Sequence, residues 1–250
     1  MNSRLEEIGK YIQKSGEVTL SELREVFGGV SSMTLYRDLE KLAATGEIIR
    51  THGGARSIEN ILKEEQYSKR AVENIREKNI IAAKAYGLIE QNSSVFIDSG
   101  TTASALVSLL TEERLFVITA DPNIALECAK KANIKVFMTG GYLNSDSLSL
   151  SGAGALGFLD NINIDAAFLS ASGFSFQNAF TCGNYDECEL KKRVVSKAKK
   201  RVMLMDSSKA GRGLPFTFAG LSDIDFLVTD DRLDAKKIEK LRKYKNINLK

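Results

Sequence analysis

One histidine, His52, and three cysteines, Cys128, Cys182 and Cys188, occur in 250 residues. A single imidazole excludes a histidine-built metal centre and leaves any Ser-His-Asp triad elsewhere in the chain without its base. The cysteines are odd in number and lack a C-x-x-C spacing, so neither a disulfide framework nor a zinc knuckle is encoded and reduced thiols are expected. The spacing and mixed-charge neighbourhood of Cys182 and Cys188 give no reason for a reactive thiolate. No window approaches the roughly 20 consecutive apolar residues of a membrane span, and Met1-Asn2-Ser3-Arg4-Leu5-Glu6-Glu7 holds no apolar signal segment. A cytoplasmic protein with no membrane partner is expected. Charge of one sign is also lacking, since 35 basic against 32 acidic residues leave only +3, too small a surplus to imply a polyanion by itself. Residues 1–56 carry eight basic and eight acidic side chains, net zero, so any DNA-binding role there must rest on pattern.

The apolar fraction of 43% and charged fraction of 27% describe a soluble globular chain. At about 100 to 200 residues per domain, two domains are expected. Leu5, Ile8 and Ile12 form one helical stripe that stops at Ser15-Gly16. Thr19 with Glu22 has the spacing of a capping box, and Leu20, Leu23, Val26 and Phe27 line a second helix ended by Gly28-Gly29. Ser31 or Ser32 caps a third, whose Leu35, Leu39 and Leu42 are the buried stripe. Met33, Thr34, Arg37 and Lys41 fall on the opposite side, with Tyr36 in the first turn. A long cation there reaches guanine edges or phosphates, while hydroxyls hold the backbone. Glu47 to Gly54 reads as a short hairpin that adds Arg50, His52 and the turn residue Gly53. This is the outline of a winged helix-turn-helix; a small helical domain with a solvated cationic face is the bland alternative.

The string Ser32-Met33-Thr34-Leu35-Tyr36-Arg37-Asp38-Leu39, followed by Lys41-Leu42, Gly46 and Arg50-Thr51-His52-Gly53-Gly54-Ala55, resembles the DNA-binding domain of the DeoR family of bacterial transcriptional regulators. The resemblance implies contact with double-stranded operator DNA through Ser31, Ser32, Met33, Thr34, Tyr36, Arg37, Lys41, Arg50, His52 and Gly53. Family members usually carry two arginines where this chain has Tyr36-Arg37, so an aromatic hydroxyl is expected in place of one contact.

Residues 1–57 are thus expected to form the DNA-binding domain and 58–78 a charged, solvated helical linker, with Arg70 as ordinary surface charge. Residues 79–250 form a second domain. Its apolar runs 95–97, 115–118, 136–138, 167–169, 202–205 and 226–228 alternate with helices, the pattern of an α/β fold with a mostly parallel sheet covered on both faces. Ligands in such sheets sit at the carboxyl ends of strands, where polar and glycine residues collect in five loops. In the first, Asp98-Ser99-Gly100-Thr101-Thr102, glycine lets the backbone approach and the following helix N-terminus offers free N–H groups to an anion such as phosphate. Ser, Thr and Gly after a strand are also ordinary capping chemistry.

Asp98 to Thr102, Gly140-Gly141, Gly152, Asp165 to Gly173, Glu187 to Lys191 and Asp206 to Lys209 resemble the DeoR effector domain, which is similar in fold to ribose-5-phosphate isomerase and usually recognises a phosphorylated sugar or related metabolite. The effector residues expected are Asp98, Ser99, Gly100, Thr101, Thr102, Asp121, Asn123, Gly140, Gly141, Gly173, Glu187, Lys191, Lys209 and Arg212. Cations are expected near phosphate, and Asp98 and Glu187 near hydroxyls. Where members commonly have Thr-Asn, this chain has Thr119-Ala120, and Asp121 or Asn123 is expected to compensate. The resemblance implies a repressor of carbohydrate genes, acting as a homo-oligomer, dimer or tetramer, on two half-sites, with no cofactor or metal. The alternative is a sugar-phosphate isomerase fused to a DNA-binding domain, with Glu187 as base. Against it, Ser170-Ala171-Ser172-Gly173 lacks the acidic pair related isomerases present there.

Overall fold

The computed structural model describes residues 3–15, 17–51, 53–57, 67–244 and 246–250. His52, and the linker residues 58–66, lie outside the described residues. The chain divides into two compact units, Met1–Glu64 and Glu65–Lys250.

The first unit runs α1 (Ser3–Ser15), β1 (Glu17–Thr19), α2 (Leu20–Val26), α3 (Ser32–Ala44), β2 (Ile48–Thr51) and β3 (Gly54–Ser57). The Thr19/Glu22 capping box forms as its spacing predicts, which stabilises so short a helix by about 1 kcal/mol. Ile8, Ile12, Leu23, Leu35, Leu39, Leu42 and Ile48 meet in one core. Truncating a wholly buried leucine such as Leu39 to alanine costs about 2–5 kcal/mol. The wing has one strand more than the sequence reading expects. Glu17–Thr19 pairs antiparallel with β3, giving the order β1-β3-β2. A side chain at Gly54 would lie 1.9 Å from the Val18 carbonyl oxygen, so only glycine lets the two backbones approach this closely.

The second unit opens with α4 (Tyr67–Val72) and α5 (Ile75–Tyr86). The charged stretch is only partly solvated from Tyr67 onward: many of its side chains are exposed or half-buried, but its end packs down. Glu77 and Lys78 are buried; Glu77 pairs with Arg232 at 2.9 Å, and the Lys78 ammonium donates to the carbonyls of Arg70 and Glu73. Burial lowers the Lys78 pKa from its ordinary value, against the raising pull of Asp206.

Then follow β4 (Ser93–Ile97), α6 (Thr101–Leu109), β5 (Leu115–Thr119), α7 (Pro122–Ala129), β6 (Ile134–Met138), the hairpin β7 (Tyr142–Asn144) and β8 (Ser149–Ser151), α8 (Ala153–Asp160), β9 (Ile164–Ser170), β10 (Gly173–Ser175), β11 (Ala179–Cys182), α9 (Tyr185–Lys197), β12 (Ala198–Leu204), a 3-10 turn (Ser207–Lys209), β13 (Phe216–Ala219), β14 (Phe226–Val228), α10 (Ala235–Leu241) and β15 (Asn248–Leu249). Seven strands form a parallel sheet in the order β15-β14-β12-β9-β4-β5-β6. Alternate residues feed opposite cores: Val95 and Ile97 pack with Ala82, Leu106 and Ile124, and Phe96 with Leu159, Leu190 and Val194. Burial on both faces explains the unbroken apolar strands. The small antiparallel sheets β10-β11-β13 and β7-β8 depart from an all-parallel plan. Because β4 lies between β5 and β9, and the chain leaves through β5 and β6 before returning to β9, the topological switch point is the crevice at the carboxyl ends of β4 and β9. Among the described residues no helix is long and apolar enough to cross a membrane.

Candidate functional site

The first unit presents one face of α3. Ser31, Ser32, Met33, Tyr36, Arg37 and Lys41 are exposed and Thr34 is half-buried, whereas Leu35, Asp38, Leu39 and Leu42 face inward. Asp38 is held there by Arg4, at 2.9 Å from both Nε and Nη2. Ser31 caps the helix by accepting from the Thr34 amide at 3.2 Å, and its hydroxyl lies 2.9 Å from the Thr34 hydroxyl. These two hydroxyls therefore shape the helix start as well as facing outward. Gly53 is exposed, and its carbonyl accepts from Leu20 N at 2.8 Å. The Tyr36 ring lies under the Arg50 guanidinium, with Cζ 3.7 Å from the ring centroid. Exposed Arg37 and Lys41, one helical turn apart, together with half-buried Arg50 of the wing make a face fit for phosphates and base edges.

In the second unit the switch-point loops come together through Asp98. One of its carboxylate oxygens accepts from Ser99 N at 2.9 Å, and the other from Ser170 N at 2.8 Å and from the Lys191 ammonium at 2.8 Å. Lys191 also donates to the Ser170 carbonyl at 2.7 Å and pairs with Glu187 at 2.9 Å. Burial disfavours the Lys191 ammonium, but Asp98 and Glu187 outweigh it and hold its pKa above the ordinary range. Asp98, Glu187 and Lys191 are all buried. Asp98 and Glu187, expected near ligand hydroxyls, and Lys191, expected near phosphate, are thus brought into one cluster. Lys191 contacts Asp98, Glu187 and the Ser170 carbonyl, and these contacts fasten the loops after β4 and β9 to α9.

Asp121 braces the neighbouring loop. It is wholly buried, accepts from Gly100 N at 3.1 Å, and caps α7 by accepting from Asn123 N at 2.8 Å and Ile124 N at 3.3 Å. Burial raises its pKa, opposed by those amides. It positions the Gly100 loop, and the neighbouring Ala120 is itself buried in the core. Asn123 stays exposed at the start of α7.

Gly100 has φ 120° and ψ 165° as the residue before α6, with no side-chain cap, a conformation that glycine alone adopts readily. The first bond of α6 runs from Ser104 N to Gly100 O at 3.0 Å, so the amides of Thr101, Thr102 and Ala103 have no partner within the helix. Thr102 and Ser99 are buried and Thr101 half-buried. An Nη of Arg70 lies 3.7 Å from the position a Cβ on Gly100 would take. From the sequence, Arg70 is expected to be ordinary surface charge. It is brought in by α4, whose Tyr67 hydroxyl lies 3.2 Å from the Ser104 hydroxyl, and by Asn74, which donates to the Ser208 hydroxyl at 3.3 Å.

Gly141 has φ 95°, and a Cβ there would lie 2.1 Å from the Ser151 carbonyl oxygen, so the Gly140-Gly141 loop folds against the start of α8. Gly173 and Arg212 meet through backbone, a Cβ on Gly173 falling 2.7 Å from the Arg212 carbonyl oxygen. Lys209 is half-buried in the 3-10 turn capped by Asp206.

A winged helix-turn-helix joined to an α/β unit of this kind defines a DNA-binding transcriptional regulator. Residues 4–61 match the DeoR-like helix-turn-helix domain and residues 73–231 the DeoR C terminal sensor domain; the chain belongs to the DeoR family. It is 34% identical to the Lactose phosphotransferase system repressor of Streptococcus mutans, over 98% of this chain and 97% of that one. It is also 34% identical to the HTH-type transcriptional regulator IolR of Bacillus subtilis, over 92% of each chain. Among solved structures it is similar to ribose 5-phosphate isomerase A of Methanocaldococcus jannaschii, with 19% identity, a TM-score of 0.38 and 54% of each chain covered.

Proposed function

We propose that this chain represses carbohydrate-metabolism genes as a homo-oligomer and that a phosphorylated sugar, held at the start of α6, releases it from its operator. In this reading residues 1–57 read DNA, 58–78 connect, and 79–250 sense. The observation that carries it is the Gly100 opening at the sheet's switch point, where the Thr101 and Thr102 amides and Arg70 lie around or beside the loop. An anion at such a helix start gains about 0.3–1 kcal/mol from the dipole alone, and a nearby guanidinium adds charge-assisted hydrogen bonds. Ser99, Gly140, Gly141, Gly173, Asn123 and Arg212 complete the proposed surround, with Asp98, Asp121, Glu187 and Lys191 as its scaffold. The Streptococcus mutans relative, named as a repressor of a lactose phosphotransferase system, supports both the repressor and the sugar reading.

Thermal unfolding of the full chain with a panel of pentose and hexose phosphates, each beside its unphosphorylated sugar, tests the site. A ligand at a hundredfold its Kd stabilises by about 2.7 kcal/mol, and at least one phosphorylated member raises Tm while its parent sugar does not. A panel without effect, or equal shifts with and without phosphate, contradicts the site. Turnover of a sugar phosphate by the purified chain would favour the enzyme reading instead.

A further inference from the structure

We propose that Tyr36 is a positioning residue for Arg50, and that the wing arginine, not the tyrosine hydroxyl, meets the DNA backbone. The inference rests on the reading that the outward face of α3 binds DNA. Tyr36 and Glu40 stand one helical turn apart on α3, and Arg50 reaches them from β2. Its Cζ lies 3.7 Å from the centroid of the Tyr36 ring, and its Nη1 lies 3.4 Å from a Glu40 carboxylate oxygen. The stack fixes the guanidinium plane against the ring face. The pair with Glu40 is long, and the Glu40 side chain is 55% exposed, so it is a weak hold that a phosphate displaces. The Arg50 Nε is buried with no hydrogen-bond partner among the described residues; its hydrogen-bonding reach is through the terminal nitrogens at the fork. Tyr36 thus serves as a platform that aims Arg50 at the DNA backbone. Recognition helix and wing are thereby locked into one reading head.

A double-mutant cycle on the full chain tests this, using a duplex recovered from a random pool by selection with the wild-type chain. Arg50→Ala and Tyr36→Ala each weaken binding about three- to tenfold, the range of a cation–π contact, and each lowers the salt slope by about one. The Tyr36→Ala/Arg50→Ala double variant binds no more weakly than either single, and Tyr36→Phe, which keeps the ring, binds like wild type. Tyr36→Phe as damaging as Tyr36→Ala, or additive losses in the double variant, overturns the inference. Arg37→Ala separates the two levels. Loss with Arg37→Ala but none with Arg50→Ala or Tyr36→Ala overturns the positioning role alone. No loss with any of the three overturns the DNA-face reading and the inference with it.

Discussion

Lys191 and Asp98, 93 residues apart in sequence, face each other at 2.8 Å with side chains 2% and 0% exposed, and through this contact α9 is fastened to the loop that opens α6. Two charges removed from water are tolerated only because each is fully engaged, Lys191 by Asp98, Glu187 and the Ser170 carbonyl, and Asp98 by the Ser99 and Ser170 amides. The pair is therefore the frame of the sensor's crevice. Lys191→Met leaves two buried carboxylates without their cation and is expected to destabilise the second unit by about 3–5 kcal/mol. Urea unfolding checks it; a loss under 1 kcal/mol would mean the cluster is wetter than its burial implies.

Asp121→Asn places an amide where both carboxylate oxygens accept backbone N–H groups. One rotamer turns its NH2 toward Gly100 N and the other toward the start of α7, so an unsatisfied donor costs about 1–3 kcal/mol either way. Ligand-induced stabilisation should fall with it, while DNA affinity without ligand stays at the wild-type level. Calorimetric unfolding with and without sugar phosphate reads both.

Asp165 supplies a pH signature away from the crevice. Lys199 at 2.8 Å and the Ser94 amide and hydroxyl hold its pKa at about 2, below the ordinary 3.8. A depressed carboxylate contributes stability that is complete above its unfolded pKa and is lost as pH falls toward the folded one. The stability gap between wild type and Asp165→Asn should be constant near neutrality and shrink from about pH 4 to pH 2. Because Asp165 and Lys199 are 39% and 75% exposed, solvent screens the pair and the gap is small. A gap that widens on acidification contradicts this account.

Much of the first unit was legible because its signals are local. Thr19 and Glu22 cap across three residues, and Leu35, Leu39 and Leu42 share a face by helical period alone. β1 escaped notice because three residues carry no period, and its existence depends on Gly54 meeting Val18 from 36 residues away. In the second unit the runs at 95–97 and 115–118 announced a parallel sheet, and Ser99-Gly100-Thr101-Thr102 announced the helix start. Which polar residues face the crevice and which brace it was not legible. Asp98, Asp121, Glu187 and Lys191 have the composition of a binding site, but their partners come from distant elements, and only folding reveals that those partners occupy them. Arg70 shows the reverse: among many charges it reads as solvated, and only the packing of α4 and α5 brings it beside Gly100. Tyr36 read as a hydroxyl donor because Arg50 approaches from another strand.

The sensor and reader are expected to separate by mutation. Thr101→Ala and Lys209→Ala should preserve operator affinity while weakening the response to ligand, because neither belongs to the DNA-reading face. Filter binding with and without sugar phosphate distinguishes this from a general loss; reduced affinity in the absence of ligand would contradict it.

The most direct test is fluorescence anisotropy of a labelled operator duplex bound by the full chain, titrated with the sugar phosphate that most raises Tm, for wild type and Arg70→Ala. The account predicts that the wild-type complex releases DNA as ligand is added, and that Arg70→Ala binds DNA equally well but needs about tenfold or more extra ligand, the loss of a charge-assisted hydrogen bond. Release at the same ligand concentration in both proteins, or no release from wild type at saturation, would contradict an anion held beside Gly100 as the signal that controls DNA binding.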